Sequence, residues 1–207
     1  MNFLKMLSDE NLLSRKNISR ELRKFRKNQL LSRRNQMKEF VRTISDYPIK
    51  GIQFRDITTL LQDPKLFKKV IDEMTGPWIN ENVDAVLSIE SRGFIMAGAI
   101  AYKLNAAFIP LRKPDKLPYN THSVSFELEY GKTEMHIHTD ALDGLKRLLI
   151  IDDLLATGGT ALAALDLIEK FSEKEIVGSG FIINLPELKG EERLIARGVK
   201  AHSLMEF

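Results

Sequence analysis

Asp152 and Asp153 stand side by side after the apolar run Leu148–Ile151, and Ala156-Thr157-Gly158-Gly159-Thr160 follows within three residues. Small side chains, two glycines and two hydroxyls at the start of a helical pattern expose backbone N–H groups. Together with the helix dipole they make an anion cradle. The lysine of a Walker loop is missing, so a nucleoside triphosphatase is a poor fit. A carboxylate pair repels a bare phosphate but accepts charge-assisted hydrogen bonds from sugar hydroxyls. A ribose 5-phosphate unit satisfies both halves, with its hydroxyls on the acids and its phosphate in the loop. For a glycine pair alone, a tight turn with helix-capping acids is the plainer alternative; the acids, threonines and strand–helix context together favour the ligand.

These residues need a scaffold, and the flanking pattern supplies one. Asp63-Pro64 followed by Leu66, Phe67, Val70, Ile71 and Met74 reads as a capped helix with proline at its first position. Gly76-Pro77 interrupts it. Asp84–Ile89, Ala106–Leu111, Leu148–Ile151 and Val177–Ile183 read as strands, and Phe94–Leu104 as an apolar helix. A further helix should present Leu162, Leu165, Ile168 and Phe171 on one side. Ser123–His138 alternates around Gly131-Lys132, which suggests a β-hairpin. Strands alternating with helices imply an α/β fold, a doubly wound, mainly parallel sheet flanked by helices. Its right-handed crossovers place the strand ends on one edge, so Glu90-Ser91-Arg92-Gly93 and the Asp152–Thr160 segment should converge there.

The 207 residues are 43% hydrophobic and 29% charged, in keeping with one globular domain. With no cysteine there is no disulfide and no thiolate ligand or nucleophile, which fits a reducing compartment; a cytoplasmic location is expected. No apolar run reaches the roughly 18–20 residues needed to cross a bilayer. Residues 1–40 hold 11 Lys and Arg against 4 Asp and Glu, a charge of +7, whereas the remaining 20 basic and 24 acidic residues give −4. Residues 1–40 therefore read as a basic arm, flexible or loosely helical, and 41–207 as the domain. Its acidic residues are out of character for a transit peptide, and no aromatic interleaving suggests nucleic-acid binding. Met37 is an alternative start of translation.

The Asp152–Thr160 stretch resembles the phosphoribosyl pyrophosphate motif of the type I phosphoribosyltransferases. YPIKGIQFRDITTLL, ESRGF, RKPDKLP, LEYG and VGSGFIINL are similar, in order and spacing, to the adenine phosphoribosyltransferases within that family, from about Val41 onward. The resemblance implies the type I phosphoribosyltransferase fold with a small hood and a β-hairpin lid. It also implies transfer of phosphoribosyl to adenine, giving AMP and pyrophosphate, with a role for each matched residue. Asp152 and Asp153 would hold the ribose and favour an oxocarbenium-like ring, with Ala156, Thr157, Gly158, Gly159 and Thr160 on the 5-phosphate. Ser91, Arg92, Arg112 and Lys116 would meet the pyrophosphate, Ser91 and Arg92 from a loop that often holds a non-proline cis peptide, and Lys116 from across a homodimer interface. Gln53 would address the adenine edge through its main chain, Phe54 would pack on the ring and Arg55 would contact its ring-nitrogen side. Glu129 would handle the purine N7 proton beneath a lid spanning Lys113 to Tyr130. Mg²⁺ would ride on the substrate pyrophosphate, with no metal site built from side chains.

His136 and His138 face one side of a strand without an evident third ligand, so a solvated strand face explains them. Neither membrane nor nucleic acid is expected as a partner. Two other readings stay open: an enzyme for another purine, and a non-catalytic sensor of phosphoribosyl pyrophosphate that uses the basic arm.

Overall fold

The computed structural model describes residues 20–25, 37–128 and 131–207. Its centre is a five-stranded, wholly parallel sheet ordered β4-β3-β7-β8-β9, with β3 at Ala85–Ile89, β4 at Ala107–Leu111, β7 at Arg147–Leu155, β8 at Glu175–Asn184 and β9 at Ala201–Glu206. Apolar residues line both faces of the central strands. Val86, Leu149 and Ile151 join one buried cluster, while Ala85, Leu87, Leu148 and Ile150 join the other. Continuous apolar runs are what a parallel sheet covered on both sides demands.

On the first face lie helices α2 (Pro64–Thr75) and α3 (Gly93–Leu104), preceded by the short α1 (Thr58–Gln62). Asp63 caps α2 as its sequence foretells, its carboxylate accepting from the Lys65 and Leu66 N–H groups. On the second face lie α4 (Gly159–Ile168), α5 (Gly190–Ala196) and the hairpin of β5 (Thr121–Leu128) and β6 (Gly131–His138). A smaller hairpin, β1 (Arg42–Ser45) with β2 (Gln53–Asp56), forms a separate two-stranded sheet. Met37 and Val41, just ahead of it, are buried in the first cluster.

Trp78 follows α2 in a 3-10 turn, Gly76–Trp78, and lies buried over β8. A Cβ on Gly178 would stand 2.4 Å from its ring, so only glycine admits the indole here.

Three sequence expectations shift. The strand through Asp152 continues to Leu155, so the acids lie within it. Ala161, Ala163, Ala164 and Leu167 of α4 are buried along with Leu165 and Ile168, because sheet and hairpin press on it from different sides; Phe171 lies beyond its end. Gly131 and Lys132 belong to β6, paired with Leu128 and Glu127, rather than to the turn.

Candidate active site

The chain runs from β3 outward to β4, then returns to place β7 on the other side of β3. This order reversal leaves a crevice beyond the carboxyl ends of β3 and β7. Residues 90–92 join β3 to α3 there, and residues 156–158 join β7 to α4, so the two loops singled out in the sequence do meet. The Glu90–Ser91 peptide is cis, as the resemblance implies. Contact is tight where the segments touch: a Cβ on Gly93 would lie 2.6 Å from Ser88 Oγ and 2.7 Å from Asp152 Oδ1. Any larger residue would displace the carboxylate or the start of α3.

Arg92 spans the crevice. Its Nε donates to Asp153 Oδ2 at 2.5 Å, and its guanidinium carbon lies 5.0 Å from the centre of the Phe54 ring. Asp153 thus has a cationic partner and Asp152 has none of equal reach. Burial, then the charge of Asp153, push the Asp152 carboxyl well above the usual carboxylate range, offset in part by the Asp153 N–H, which donates at 2.9 Å. Beyond the acids, Ala156 to Thr160 line a cavity of about 110 Å³ together with Asp152, Leu154 and Phe181. Among the described residues, the N–H groups of Ala156, Thr157 and Gly158 donate to no acceptor. Unspent donors at the start of a ten-residue helix are suited to an anion.

A neighbouring cavity of about 140 Å³ is lined by Glu90, Arg112, Lys113, Phe126, Met135 and Thr160, among others. Glu90 accepts both Nε and Nη2 of Arg112 at 3.2 Å, and also the Lys113 N–H. The Arg112 fork holds the Glu90 carboxyl below its ordinary range. Arg112 also donates to the Lys116 carbonyl oxygen and exchanges two backbone hydrogen bonds with His136 on β6. Ser91 and the Lys116 side chain are exposed.

The β1–β2 hairpin supplies the third wall. Phe54 packs edge-on against Tyr47, ring centres 5.0 Å apart, and faces Arg92. Arg55 points to the other face of the strand, donating to Thr43 Oγ1 and stacking on Phe207 at 4.5 Å. Gln53 is exposed and its side-chain oxygen accepts from Ser45. The structure therefore gathers Phe54, Arg92, Asp152, Asp153 and the 156–160 loop, while the Arg55 guanidinium is engaged with Phe207. Glu129 and Tyr130 lie outside the described residues.

The strand face bearing His136 is not simply solvated, because that ring contacts Thr121 Oγ1 and Glu134 Oε2 at 3.0 Å each. Sequence reasoning gave no task to Glu90, although it opens the ESRG stretch. It also passed over Gly190 and Arg193, which belong to no motif and reach the loop only through the fold.

The Phosphoribosyl transferase domain family model matches residues 58–202, which assigns the chain to the phosphoribosyltransferases. A protein described as adenine phosphoribosyltransferase from Chlorobaculum tepidum is 50% identical over 173 residues, covering 83% of this chain and 97% of its own length. Its counterpart from Beijerinckia indica is 46% identical over 171 residues, covering 83% and 95%. The crystal structure of adenine phosphoribosyltransferase from Rhodothermus marinus superposes with a TM-score of 0.79 at 42% identity, covering 86% of this chain and 99% of that one. The Giardia lamblia enzyme, solved with 9-deazaadenine, gives 0.79 at 31% identity, covering 84% and 97%. The chain belongs to the adenine phosphoribosyltransferase family.

Proposed function

We propose that this chain transfers the phosphoribosyl group of 5-phosphoribosyl 1-pyrophosphate to adenine, yielding AMP and pyrophosphate in purine salvage. The observation that carries the reading is the union, in one crevice, of an acid pair and a loop of unspent N–H donors, roofed by an aromatic hairpin. The C1–oxygen bond to pyrophosphate breaks as the ring turns cationic, and the base nitrogen then bonds to C1. Asp152 and Asp153 hold the ribose hydroxyls and favour positive charge on the ring. The 156–160 loop anchors the 5-phosphate. Ser91, Arg92 and Arg112 receive the leaving pyrophosphate; for this Arg92 must exchange Asp153 for phosphate oxygens, which its fork binds equally well. Phe54 packs on adenine, Gln53 offers its main chain and Arg55 contacts the ring-nitrogen side after leaving Phe207. Glu129 manages the N7 proton, and the β5–β6 hairpin excludes water that would otherwise compete for C1.

Among the described residues no group of three His, Asp or Glu is placed to hold a metal, yet Asp152 and Asp153 are hard oxygen donors of the kind Mg²⁺ accepts beside phosphates. Mg²⁺, carried in on the pyrophosphate, would neutralise its charge. A homodimer is supported by an exposed apolar face: Ile95 and Tyr102 share one stripe of α3, Tyr102 is 88% exposed, and Phe108 sits on the edge strand β4. Lys116 would then serve the partner's crevice. A cytoplasmic location accords with the absence of cysteine, and no helix among the described residues is long and apolar enough to cross a membrane.

A coupled assay with adenine, Mg²⁺ and phosphoribosyl pyrophosphate is the direct test. AMP formation is expected, with 6-oxopurines turned over far more slowly. Failure to form AMP, or a preference for hypoxanthine, would overturn the reading.

A further inference from the structure

Helix α5 begins on the reverse side of the Ala156–Thr160 loop. A Cβ on Gly190 would stand 2.3 Å from the Ala156 carbonyl oxygen and 2.9 Å from the Gly158 nitrogen, so the two backbones touch with nothing between them. One turn later, exposed Arg193 donates Nη1 to the Thr157 carbonyl oxygen at 2.7 Å. The helix is itself moored to the sheet, because Glu191 accepts from the side chain of buried Asn184 at 2.9 Å, and Asn184 is the register partner of Leu155.

The contact falls where the loop is softest. Gly158 has φ +79° and ψ 0°, and glycine populates either sign of φ almost equally. The Thr157–Gly158 peptide can therefore rotate without a backbone penalty at Gly158. In a planar trans peptide the carbonyl and N–H point in opposite directions. With the Thr157 oxygen held by Arg193, the Gly158 N–H points away from α5. Rotated, the peptide would turn a carbonyl oxygen to that side and repel an anion.

We propose that Arg193 is a positioning residue for the 5-phosphate: by holding the Thr157 carbonyl it keeps the Gly158 N–H presented to the phosphate. The proposal rests on reading the 156–160 loop as the 5-phosphate cradle. It acts on ground-state binding of the phosphate, not on the ring chemistry, so its signature is an affinity loss with kcat retained.

The test is titration calorimetry with AMP on the full chain, paired with steady-state kinetics. Arg193→Ala should weaken AMP binding about tenfold, the scale of one charge-assisted hydrogen bond. The KM for phosphoribosyl pyrophosphate should rise alongside, with the KM for adenine and kcat nearly unchanged. Arg193→Lys should recover part of the loss. Arg197→Ala is the control, since Arg197 pairs with Asp166 and Glu169 and does not reach the loop; it should leave AMP affinity intact. Equal AMP affinity in Arg193→Ala and the unaltered protein would overturn the positioning role alone. So would a loss in Arg193→Ala matched by Arg197→Ala and by a lowered Tm, because that is general loosening. If the unaltered protein takes up no AMP, the cradle reading falls first and this proposal with it.

Discussion

The β7–α4 segment and the β1–β2 hairpin face the same crevice but are built differently. β7 is nine residues long, hydrogen-bonded to a neighbour on each side, and delivers its acids and loop from within the core. The hairpin consists of two four-residue strands paired only to each other, and it meets the body partly through ring contacts, Phe54 with Arg92 and Arg55 with Phe207. A sugar whose ring must be met by fixed charge as it turns cationic is suited to rigid backbone, whereas a flat base held by ring packing is suited to a peripheral flap. The first region should therefore govern catalytic rate, and the second affinity for the base.

The double substitution Asp152→Asn with Asp153→Asn should have the largest effect. Turnover is expected to fall at least about 10³-fold, the scale of losing preorganised charge at a developing ion, with circular dichroism unchanged. Near-normal rates would break the comparison at its root. Glu129→Ala should come next, lowering kcat by roughly 10²-fold through lost proton transfer while adenine affinity changes little; the reverse split would make Glu129 a binding residue. Phe54→Ala should raise the KM for adenine about fivefold to tenfold, in line with the loss of one aromatic packing partner, and spare that for phosphoribosyl pyrophosphate. An equal rise in both would place the hairpin in sugar binding as well.

Asp152→Asn alone sharpens the contrast through stability. Because the Asp152 carboxyl is raised in the folded state, the native protein holds a proton that the unfolded chain has already lost across that interval. Native stability therefore falls as pH climbs from the ordinary carboxylate range through the folded value. Asparagine carries no such penalty. Its Tm should exceed that of the unaltered protein by a few degrees at neutral pH, at about 2–4 °C per kcal/mol for a chain of this size. The gain should vanish below about pH 4, where Asp152 is protonated in the folded and the unfolded chain alike. A lower Tm at pH 7 would mean that the charge is already well compensated. The smallest effect is expected from removing residues 1–36, proposed to be an arm outside the domain: kcat/KM should stay within about twofold, as for changes remote from the chemistry.

The difference between regions also explains what could be read in advance. Asp152 to Thr160 is contiguous, and its chemistry follows from neighbours in the chain, so the crevice and the parallel sheet were legible. Arg92 resting on Asp153, 61 residues away, is set by packing and could not be foreseen. The same holds for Arg55 on Phe207 and Arg193 on Thr157. The helical face of α4 was drawn from its leucines, yet its alanines are equally buried, because small residues let the sheet and hairpin close in on it. The hairpin turn was assigned to Gly131 because glycine marks turns; backbone pairing with Leu128 absorbs that residue into the strand instead.

Trp78 is the only tryptophan in the chain, and it is sealed over β8 against Gly178, away from the residues proposed to handle substrate. Its fluorescence therefore reports the integrity of the sheet from a position no ligand is expected to touch. Emission that stays blue while a crevice variant loses turnover separates lost chemistry from lost folding in a single cuvette.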